Sequence, residues 1–259
     1  MLAEDRFRPR LSPRWRVMQV GGGGVALTEE GLRLAVAGAR RTRYANAQID
    51  DYLGLPRARF PWRPPLRMTV RARFSGPVAG TAGFGFWNSP ISPVGRVLPV
   101  PPAAIWFFYA GPPADMPLAL GAPGCGWKAA CIDTRTTEAL AWAPLAPAVA
   151  LLNRIPPLER RIWPAVQRAL RIAEAPLEPP GPAWRTYTLE WRRDGARFTV
   201  DGATALETDR APTGPLGFVA WVDSQWLIAT PRGRFGWGLH DVPGAQWMDL
   251  GHVRIEPLA

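Results

Sequence analysis

The chain has 259 residues, of which 47% are hydrophobic and 20% are charged, and this balance supplies a sizeable core and excludes a disordered or coiled-coil protein. Its 30 prolines and 26 glycines are scattered between short apolar runs, which indicates many turns and many short strands. The net charge of +10 comes almost entirely from arginines spread along the chain, and because no nucleic-acid recognition motif accompanies them we predict no nucleic-acid partner.

The amino-terminal part of the chain reads as a series of strands. Apolar segments separated by turn residues predict strands at 14–20, 24–28, 31–37, 43–50 and 66–75. The first twenty residues hold five arginines but no apolar run typical of a signal peptide, so we expect a cytoplasmic protein. No segment reaches the length of a transmembrane helix, so we also expect no integral membrane association.

Side chains in two of these strands alternate in character. Successive side chains of a strand point to opposite faces, so an alternating pattern predicts one buried face and one polar face. In 66–75 the arginines fall on the predicted wet face. In 43–50 the polar face consists of Tyr44, Asn46, Gln48 and Asp50.

Residues 81–88 and 103–110 predict two further strands. From Ala103 to Ala110 the chain carries no charge, and prolines close the run on both sides. A short apolar run bounded by turn signals is typical of a strand that is buried on both faces, and this one is too short to span a membrane. We therefore expect 103–110 to be a central, buried strand.

The segment 144–176 departs from the strand pattern and predicts a helical insertion. We expect the helix to start near Pro164, because proline is tolerated in a first helical turn. The residues on one face of this helix are Val166, Ala169, Leu170 and Ala173. We expect the insertion to pack on the outside of a single β domain that spans 1–259. Because the segment 157–174 is basic, it could instead dock on an acidic partner or a membrane.

The two cysteines, Cys125 and Cys131, lie six residues apart. Without an export signal, two free thiols are the expected state. Together with His240 and His252 they form no recognisable metal-ligand spacing, so we predict no metal and no cofactor.

The carboxyl-terminal part of the chain returns to the strand pattern. Strands are predicted at 184–192, 196–201, 203–208, 216–229 and 246–256. The dipeptide Asp194-Gly195 separates the first two and is a strong hairpin signal. Many short strands with turn residues between them are typical of a sandwich or a barrel.

Three segments carry aromatic and turn residues in an order found in one known family. Within 184–202 the matching residues are Tyr187, Leu189, Trp191, Asp194-Gly195, Phe198, Val200 and Asp201-Gly202. This segment resembles an aromatic-rich strand pair of family-16 glycoside hydrolases and their concanavalin-like relatives. Residues 246–257 resemble that family's closing strand, and 71–88 resemble the strands that run into its G-L-W-P-A-F-W motif. The resemblance implies an all-β, antiparallel jelly-roll sandwich of two large sheets, one of them concave.

The resemblance also indicates what this chain lacks. In the hydrolases, the strand after the W-P-A-F-W motif carries two catalytic glutamates in the pattern E-x-D-x-x-E. That strand corresponds to 103–110 here, where no residue has a carboxylate. A retaining mechanism needs two carboxyl groups about 5 Å apart. The implied consequence is that the standard mechanism of the family cannot operate on this strand.

We expect a binding cleft in place of a hydrolytic site. Aromatic side chains beside hydrogen-bonding groups offer the flat faces and polar contacts that a sugar ring requires. The residues predicted to line the cleft are Tyr44, Asn46, Gln48, Trp87, Asn88, Trp106, Tyr109, Trp221 and Gln225. The predicted ligand is a carbohydrate or another small ring-bearing molecule.

Two other functions stay open. In the first, the protein is an enzyme, glycosidase-like or lyase-like, in which Asp50 and Asp223 act as relocated acid and base. In the second, it is an interaction protein that docks through the basic helix. The sequence leaves the oligomeric state open as well.

Overall fold

The computed structural model describes residues 2–90 and 100–258 and consists mainly of β-strands. The strands within these residues are β1 (Ala3–Asp5), β2 (Arg16–Val20), β3 (Gly23–Thr28), β4 (Gly31–Ala39), β5 (Asn46–Asp50), β6 (Leu66–Phe74), β7 (Thr81–Trp87), β8 (Ala103–Ala110), β9 (Gly126–Asp133), β10 (Ala173–Pro176), β11 (Arg185–Trp191), β12 (Ala196–Val200), β13 (Ala203–Thr208), β14 (Gly217–Asp223), β15 (Gln225–Ala229), β16 (Phe235–Leu239) and β17 (Val242–Pro257). Most of these lie where the sequence predicts them, but the predicted strand 216–229 is two strands that separate at Ser224.

Two large sheets form a sandwich. The eight-stranded sheet has the order β13-β12-β11-β6-β17-β4-β3, with β1 paired to β17, and the seven-stranded sheet has the order β10-β9-β8-β7-β14-β5-β2. Strands β15 and β16 form a small sheet of their own. Neighbouring strands in both large sheets are antiparallel, and β17 from the end of the chain lies between β6 and β4. The predicted all-β jelly-roll sandwich is confirmed.

Aromatic side chains from the two sheets meet in the core. Phe107 of β8 lies with its ring centroid 5.1 Å from that of Tyr187 on β11 and 5.3 Å from that of Phe198 on β12. Phe84 of β7 also lies 5.1 Å from Tyr187. Tilted and edge-on ring contacts of this kind add to the stabilisation that comes from burying the ring area.

Strand β8 lies inside the seven-stranded sheet and pairs with β7 and β9 along its length. Ile105 and Phe107 face the core between the sheets, while Trp106 and Phe108 face outward into a second aromatic cluster. The inner face of the strand is buried in the core, where a charged side chain would lose its hydration, whereas Trp106 and Phe108 on the outer face are only half-buried. The strand is therefore central, as predicted, but it is fully buried on one face only.

The outer face of the eight-stranded sheet carries many of the arginines. Arg71 and Arg73 of β6 point outward, as the alternation of that strand predicts. Their guanidinium groups lie 4.2 Å and 4.6 Å from the ring centroid of Trp184. Stacking of arginine on an indole ring is favourable, so these arginines are part of the sheet surface.

Three α-helices and one short 3-10 helix, Ala143–Leu145, interrupt the strands between β9 and β10. The α-helices are α1 (Thr137–Trp142), α2 (Ala146–Leu152) and α3 (Pro156–Ala169). A helical insertion is therefore present, but its predicted bounds, 144–176, are wrong. Pro164 lies inside α3, which begins instead at the proline pair Pro156-Pro157, and Ala173 belongs to β10. Pro156 and Pro157 fit the first turn of α3, because the N–H groups that prolines lack would have no hydrogen-bond partner there.

The helices pack on one end of the seven-stranded sheet. Trp163 and Val166 of α3 form a hydrophobic cluster with Val149 of α2, and Ile132 of β9 packs against this cluster. The cluster is separate from the core between the two sheets. Whether the insertion and the sandwich fold as one unit stays a prediction.

None of the helices in the described part of the chain is long and apolar enough to cross a lipid bilayer.

The two cysteines are free thiols: Cys125 is half-buried and Cys131 is buried. Burial raises the pKa of the Cys131 thiol to about 12, so it is not a reactive thiolate near neutral pH.

Candidate ligand-binding face

The outer face of the seven-stranded sheet holds a cluster of aromatic side chains, which we call the aromatic face. Its rings come from β7, β8, β14 and the segment that follows β5. They are Tyr52, Phe60, Trp87, Trp106, Phe108 and Trp221. Trp221 is buried, whereas Trp87, Trp106 and Phe108 are half-buried and present ring surface to solvent.

The rings of the aromatic face form a packed platform. Trp106 and Phe108 stack with centroids 5.3 Å apart and planes 17° from parallel. Trp87 and Trp221 are nearly parallel, with an angle of 9° and centroids 6.5 Å apart. Trp106 lies 5.4 Å from Trp221 and joins the two pairs. The three half-buried rings are therefore supported from beneath and from the side.

Glycines in β7 make room for this platform. Gly83 and Gly85 lie on the outer face of the strand, between the neighbouring indoles. A Cβ atom at Gly83 would lie 3.1 Å from the ring of Trp221, and one at Gly85 would lie 2.5 Å from the Cβ of Trp106. Any larger residue would displace those side chains, so the sequence G-F-G-F-W is a local signal of the aromatic face.

Hydrogen bonds fix two of the indoles in place. Trp87 donates its Nε1–H to the hydroxyl of Tyr52 over 2.7 Å, and Trp221 donates to Oγ1 of Thr81 over 2.9 Å. A ring held in one orientation loses little conformational entropy when a ligand stacks on it.

Asp223, at the end of β14, is buried with both carboxylate oxygens engaged. Its Oδ1 accepts from the amide and hydroxyl of Thr81 over 3.1 Å and 2.8 Å. Its Oδ2 accepts from the hydroxyl of Tyr44 over 3.2 Å and from the side-chain amide of Gln225 over 2.7 Å. Burial raises the pKa of Asp223 to about 6, and the bonds from Thr81 and Gln225 act in the opposite direction. The carboxylate fastens β14, β7 and Tyr44 together.

Asp50, at the end of β5, is fully buried and bonded within its own turn. Its Oδ1 accepts from the backbone amides of Tyr52 and Leu53 over 3.2 Å and 2.7 Å, and its Oδ2 accepts from Gln48 Nε2 over 2.9 Å. Burial raises the pKa of Asp50, and these bonds lower it. Asp50 therefore shapes the turn that delivers Tyr52 to the aromatic face.

The structure does not bring Asp50 and Asp223 together. In the antiparallel pairing of β5 and β14, Asp50 lies opposite Val219, and Asp223 lies opposite Asn46. The two aspartates are thus four residues apart along the strands, roughly 14 Å at about 3.4 Å per residue. Paired carboxyl groups of glycosidases lie about 5–10 Å apart. The predicted acid–base pair is not assembled.

Two further residues predicted for the cleft lie elsewhere. Tyr109 is buried in the core between the sheets, because it is one residue beyond Phe108 and points to the opposite face of β8. Asn88 is buried at the end of β7, where its side chain donates to Pro101 O over 2.9 Å and accepts from Ala103 N over 3.0 Å. The prediction that Tyr109 and Asn88 line the cleft is wrong.

The other predicted polar residues lie beside the aromatic face. Asn46 and Gln48 are buried on the outer side of β5, and Gln48 lies opposite Trp221 across the pairing with β14. Tyr44 and Gln225 are half-buried around Asp223. Within the described residues, Oδ1 of Asn46 is buried and has no hydrogen-bond partner. The polar groups thus form one edge of the platform.

Four aromatic residues of this region, Tyr52, Phe60, Phe108 and Trp237, were not predicted from the sequence. Phe108 could have been found by strand alternation, because it is two residues from Trp106. Trp237 of β16 has 57% of its surface exposed, and its Nε1–H donates to Gln225 Oε1 over 3.3 Å, next to the Asp223 network. The alternating sequence F-G-W-G-L is the signal that could have indicated Trp237.

Solved structures superpose on nearly the whole chain. A transglycosylase in complex with NAG aligns over 100% of this chain and 84% of its own, with a TM-score of 0.55 and 16% identity. A lichenase derived from a mouse hindgut metagenome aligns over 99% of both chains, with a TM-score of 0.54 and 13% identity. An immunostimulatory antigen and pseudo β-1,3-glucanase of Mycobacterium tuberculosis aligns over 99% of this chain and 98% of its own, with a TM-score of 0.54 and 11% identity. The fold is that of the concanavalin-like glucanases.

The likeness to these concanavalin-like proteins is one of fold, because the identities are low. No protein-family model and no curated protein matches the sequence. In this concanavalin-like sandwich the outward positions of β8 hold Ala104, Trp106, Phe108 and Ala110. The strand thus presents two stacked rings and no carboxylate on the outer face.

Proposed function

We propose that the aromatic face binds a glycan, or another small ring-bearing ligand, without hydrolysing it. The observation that carries this proposal is the half-buried Trp106–Phe108 stack on β8, with Trp87 beside it. One face of a sugar ring is apolar and matches an indole ring in area. Half-buried rings that are already fixed by packing offer such a surface at little entropic cost.

Polar groups at the edge of the platform supply the hydrogen bonds that a sugar requires. Gln225 and Tyr44 are half-buried and are held in position by Asp223. Trp237, more exposed than these, contacts Gln225 and extends the platform at the same edge. A mostly apolar surface with a few fixed polar groups is the usual composition of a small-molecule site.

The chemistry of the face supports binding rather than hydrolysis. The outward side chains of β8 are apolar, and Asp50 and Asp223 are buried, hydrogen-bonded and distant from each other. The separation of Asp50 and Asp223 therefore speaks against the glycosidase alternative in which these two residues act as acid and base.

Proteins with the same fold support a carbohydrate as the ligand class. The transglycosylase described above was solved in complex with NAG, and the mycobacterial protein is described as a pseudo β-1,3-glucanase. The first binds a sugar on this fold, and the second is described as a pseudo-glucanase. We carry over only the class of ligand.

The proposal is tested by a glycan array on the parent protein, followed by calorimetry on Trp106→Ala with any glycan that binds. By analogy with base stacking, loss of a stacking aromatic ring costs on the order of 1–3 kcal/mol, which corresponds to a roughly five- to 150-fold weaker affinity. The matched control is Trp247→Ala, which removes a half-buried indole from the outer face of the other sheet. We expect the control to bind like the parent.

Two results would contradict the proposal. One is the absence of glycan binding at millimolar concentration. The other is equal affinity of Trp106→Ala and the parent. A turnover assay with each bound glycan separates binding from hydrolysis, and release of product by the parent would favour the enzyme alternative.

A further inference from the structure

The helical insertion exposes an apolar surface that the sandwich does not cover. From Leu140 to Leu152 the chain carries no charged side chain. Leu140, Leu145 and Leu151 nevertheless leave 54%, 53% and 62% of their surface exposed. Large exposed apolar patches on a folded domain often mark interaction sites. We call Leu140, Leu145, Leu151, Leu152 and Ile155 the leucine face.

The hairpin of β15 and β16 extends this surface. Its tip is fastened to the helices, because Asn153 Nδ2 donates to Pro231 O over 2.9 Å and Arg232 pairs with Glu159 over 2.7 Å. Phe235, three residues beyond Arg232, leaves 81% of its surface exposed. It also lines a shallow cavity shared with Trp163 of α3, so it lies beside the helices.

A second cavity of about 450 Å³ lies among the helices and the hairpin tip. Its lining is almost wholly apolar and includes Leu140, Trp142, Val149 and Trp163. Unfilled apolar space next to exposed leucines indicates that the insertion has not buried all the apolar surface it presents. An aliphatic chain is the kind of group that such a surface accepts.

The insertion that carries the leucine face also carries positive charge. Arg154 lies between two exposed residues of that face, and Arg160, Arg161 and Arg168 are exposed on α3. The two acidic residues between 136 and 171 are Glu138 and Glu159, and Glu159 is already paired with Arg232. The surface therefore combines exposed apolar side chains with unbalanced positive charge.

We propose that the helical insertion docks on the surface of an anionic lipid bilayer. The leucine face and Phe235 would enter the boundary between headgroups and acyl chains, and the arginines of α3 would contact lipid phosphates. Helices that lie in the membrane interface have this composition, and basic residues near an anionic surface strengthen their binding. A second copy of the chain fits less well as the occupant, because pairing of two such surfaces would bring like-charged arginines together. This inference uses none of the residues of the proposed glycan site.

The test is co-sedimentation of the full chain with two kinds of vesicle, phosphatidylcholine alone and an equal mixture of phosphatidylcholine and phosphatidylglycerol. We expect binding to the mixed vesicles that falls at high salt, and binding to phosphatidylcholine at least about tenfold weaker. The variant Leu145→Asp/Leu151→Asp should lose at least about tenfold in affinity for the mixed vesicles, because two charges would enter the apolar boundary.

The matched control is Leu27→Asp/Leu55→Asp, which places the same two charges at leucines that are 45% and 44% exposed on other parts of the surface. It should bind the mixed vesicles like the parent. The variant Arg160→Gln/Arg161→Gln/Arg168→Gln should lose binding to the mixed vesicles while its thermal unfolding stays close to that of the parent. These substitutions are on the surface, so folding should survive, and circular dichroism checks this.

Three results would overturn the inference: no binding to either vesicle, equal binding to both, or equal loss in the two aspartate variants. Self-association of the parent that Leu145→Asp/Leu151→Asp abolishes, in the absence of vesicle binding, would assign the leucine face to a second copy. Failure of the glycan array leaves this test untouched, and the reverse is also true.

Discussion

Lys128 is the only lysine of the chain, and it is almost completely buried. It lies on the outer face of β9, where its Nζ is 2.5 Å from Glu174 Oε1 and donates to Met116 O over 3.1 Å. The other oxygen of Glu174 accepts from Ala119 N over 2.6 Å. The pair therefore fastens the segment between β8 and β9 onto the sheet, beside the aromatic face.

Removal of one partner of this pair should destabilise the protein strongly. Lys128→Met leaves a buried carboxylate without its partner, and Glu174→Gln leaves a buried ammonium group, so each should lower the free energy of unfolding by about 3–5 kcal/mol. The double variant Lys128→Met/Glu174→Gln should cost less than the sum of the two, because no isolated charge remains. Urea unfolding of the four proteins measures the coupling.

The control for this prediction is the exposed pair of Glu178 and Arg185, with 83% and 45% of the side chains accessible. Glu178→Gln should cost less than about 1 kcal/mol, because solvent screens an exposed ion pair. Strictly additive effects of the Lys128 and Glu174 substitutions would show that the buried pair is not a coupled unit.

At the scale of single elements, the boundaries of a strand can be predicted where turn residues such as proline stand at both of its ends. The predicted strand 103–110 coincides with β8, because prolines close it and no residue between them requires water. The face of a side chain also follows from alternation, because residues an even number of positions apart in a strand share a face. The sequence-based prediction placed Tyr109 with Trp106, three residues away, when Phe108, two residues away, is the one that shares the face of Trp106. The alternation of side chains along β5 and β14 placed Gln48 and Trp221 on the correct face.

Other elements depend on contacts that are distant in the sequence. Nothing local marks Ser224 as the point where the chain leaves the seven-stranded sheet, and β15 is held partly by pairing of Ile228 with Asp115. The separation of Asp50 from Asp223 follows from the register of β5 on β14, which the sequence alone does not reveal. The start of α3 was misplaced because two proline sites, Pro156 and Pro164, carry the same local signal.

The interior position of Pro164 gives a prediction for α3. A proline inside a helix removes one backbone hydrogen bond and disfavours the helix by up to about 3 kcal/mol relative to alanine. Pro164→Ala should therefore stabilise the insertion, and hydrogen exchange of the α3 amides should slow. Ala165→Pro, at the next and exposed position, should have the opposite effect. Faster exchange in Pro164→Ala would show that packing around this proline outweighs the backbone cost.

At the scale of the whole molecule, carboxyl groups at the ends of β5 and β14 are buried, as at Asp50 and Asp223, or half-buried, as at Asp51 directly after β5. Asp51 has a higher pKa than Asp223: burial raises the pKa of Asp51 to about 7, although hydrogen bonds from the Trp62 indole and the amide of Phe218 lower it. Burial likewise raises the pKa of Asp50 and, to about 6, that of Asp223. All three groups shift in the same direction, so the folded protein holds protons that the unfolded chain releases.

The shift at Asp51 has a defined sign for stability. Between its ordinary pKa of 3.8 and its folded value of about 7, the folded state is protonated more than the unfolded state. The contribution of Asp51 to the free energy of unfolding therefore falls as the pH rises through this range, and this contribution is lost above about pH 7. For Asp51 alone the difference amounts to at most about 4 kcal/mol.

The variant Asp51→Asn isolates this contribution because asparagine does not ionise. Asparagine keeps one acceptor oxygen for the two donors, so the variant should be less stable than the parent near pH 4, and this deficit should shrink or reverse near pH 8. Urea unfolding across this range measures the difference, in which the general effect of the large net positive charge largely cancels. Asp209→Asn, at an aspartate with 91% of its side chain exposed, makes the same charge change without burial and should show a much flatter difference. A stability difference between Asp51→Asn and the parent that does not vary with pH would show that Asp51 is ionised in the folded protein throughout, and that water or a neighbouring group offsets its burial.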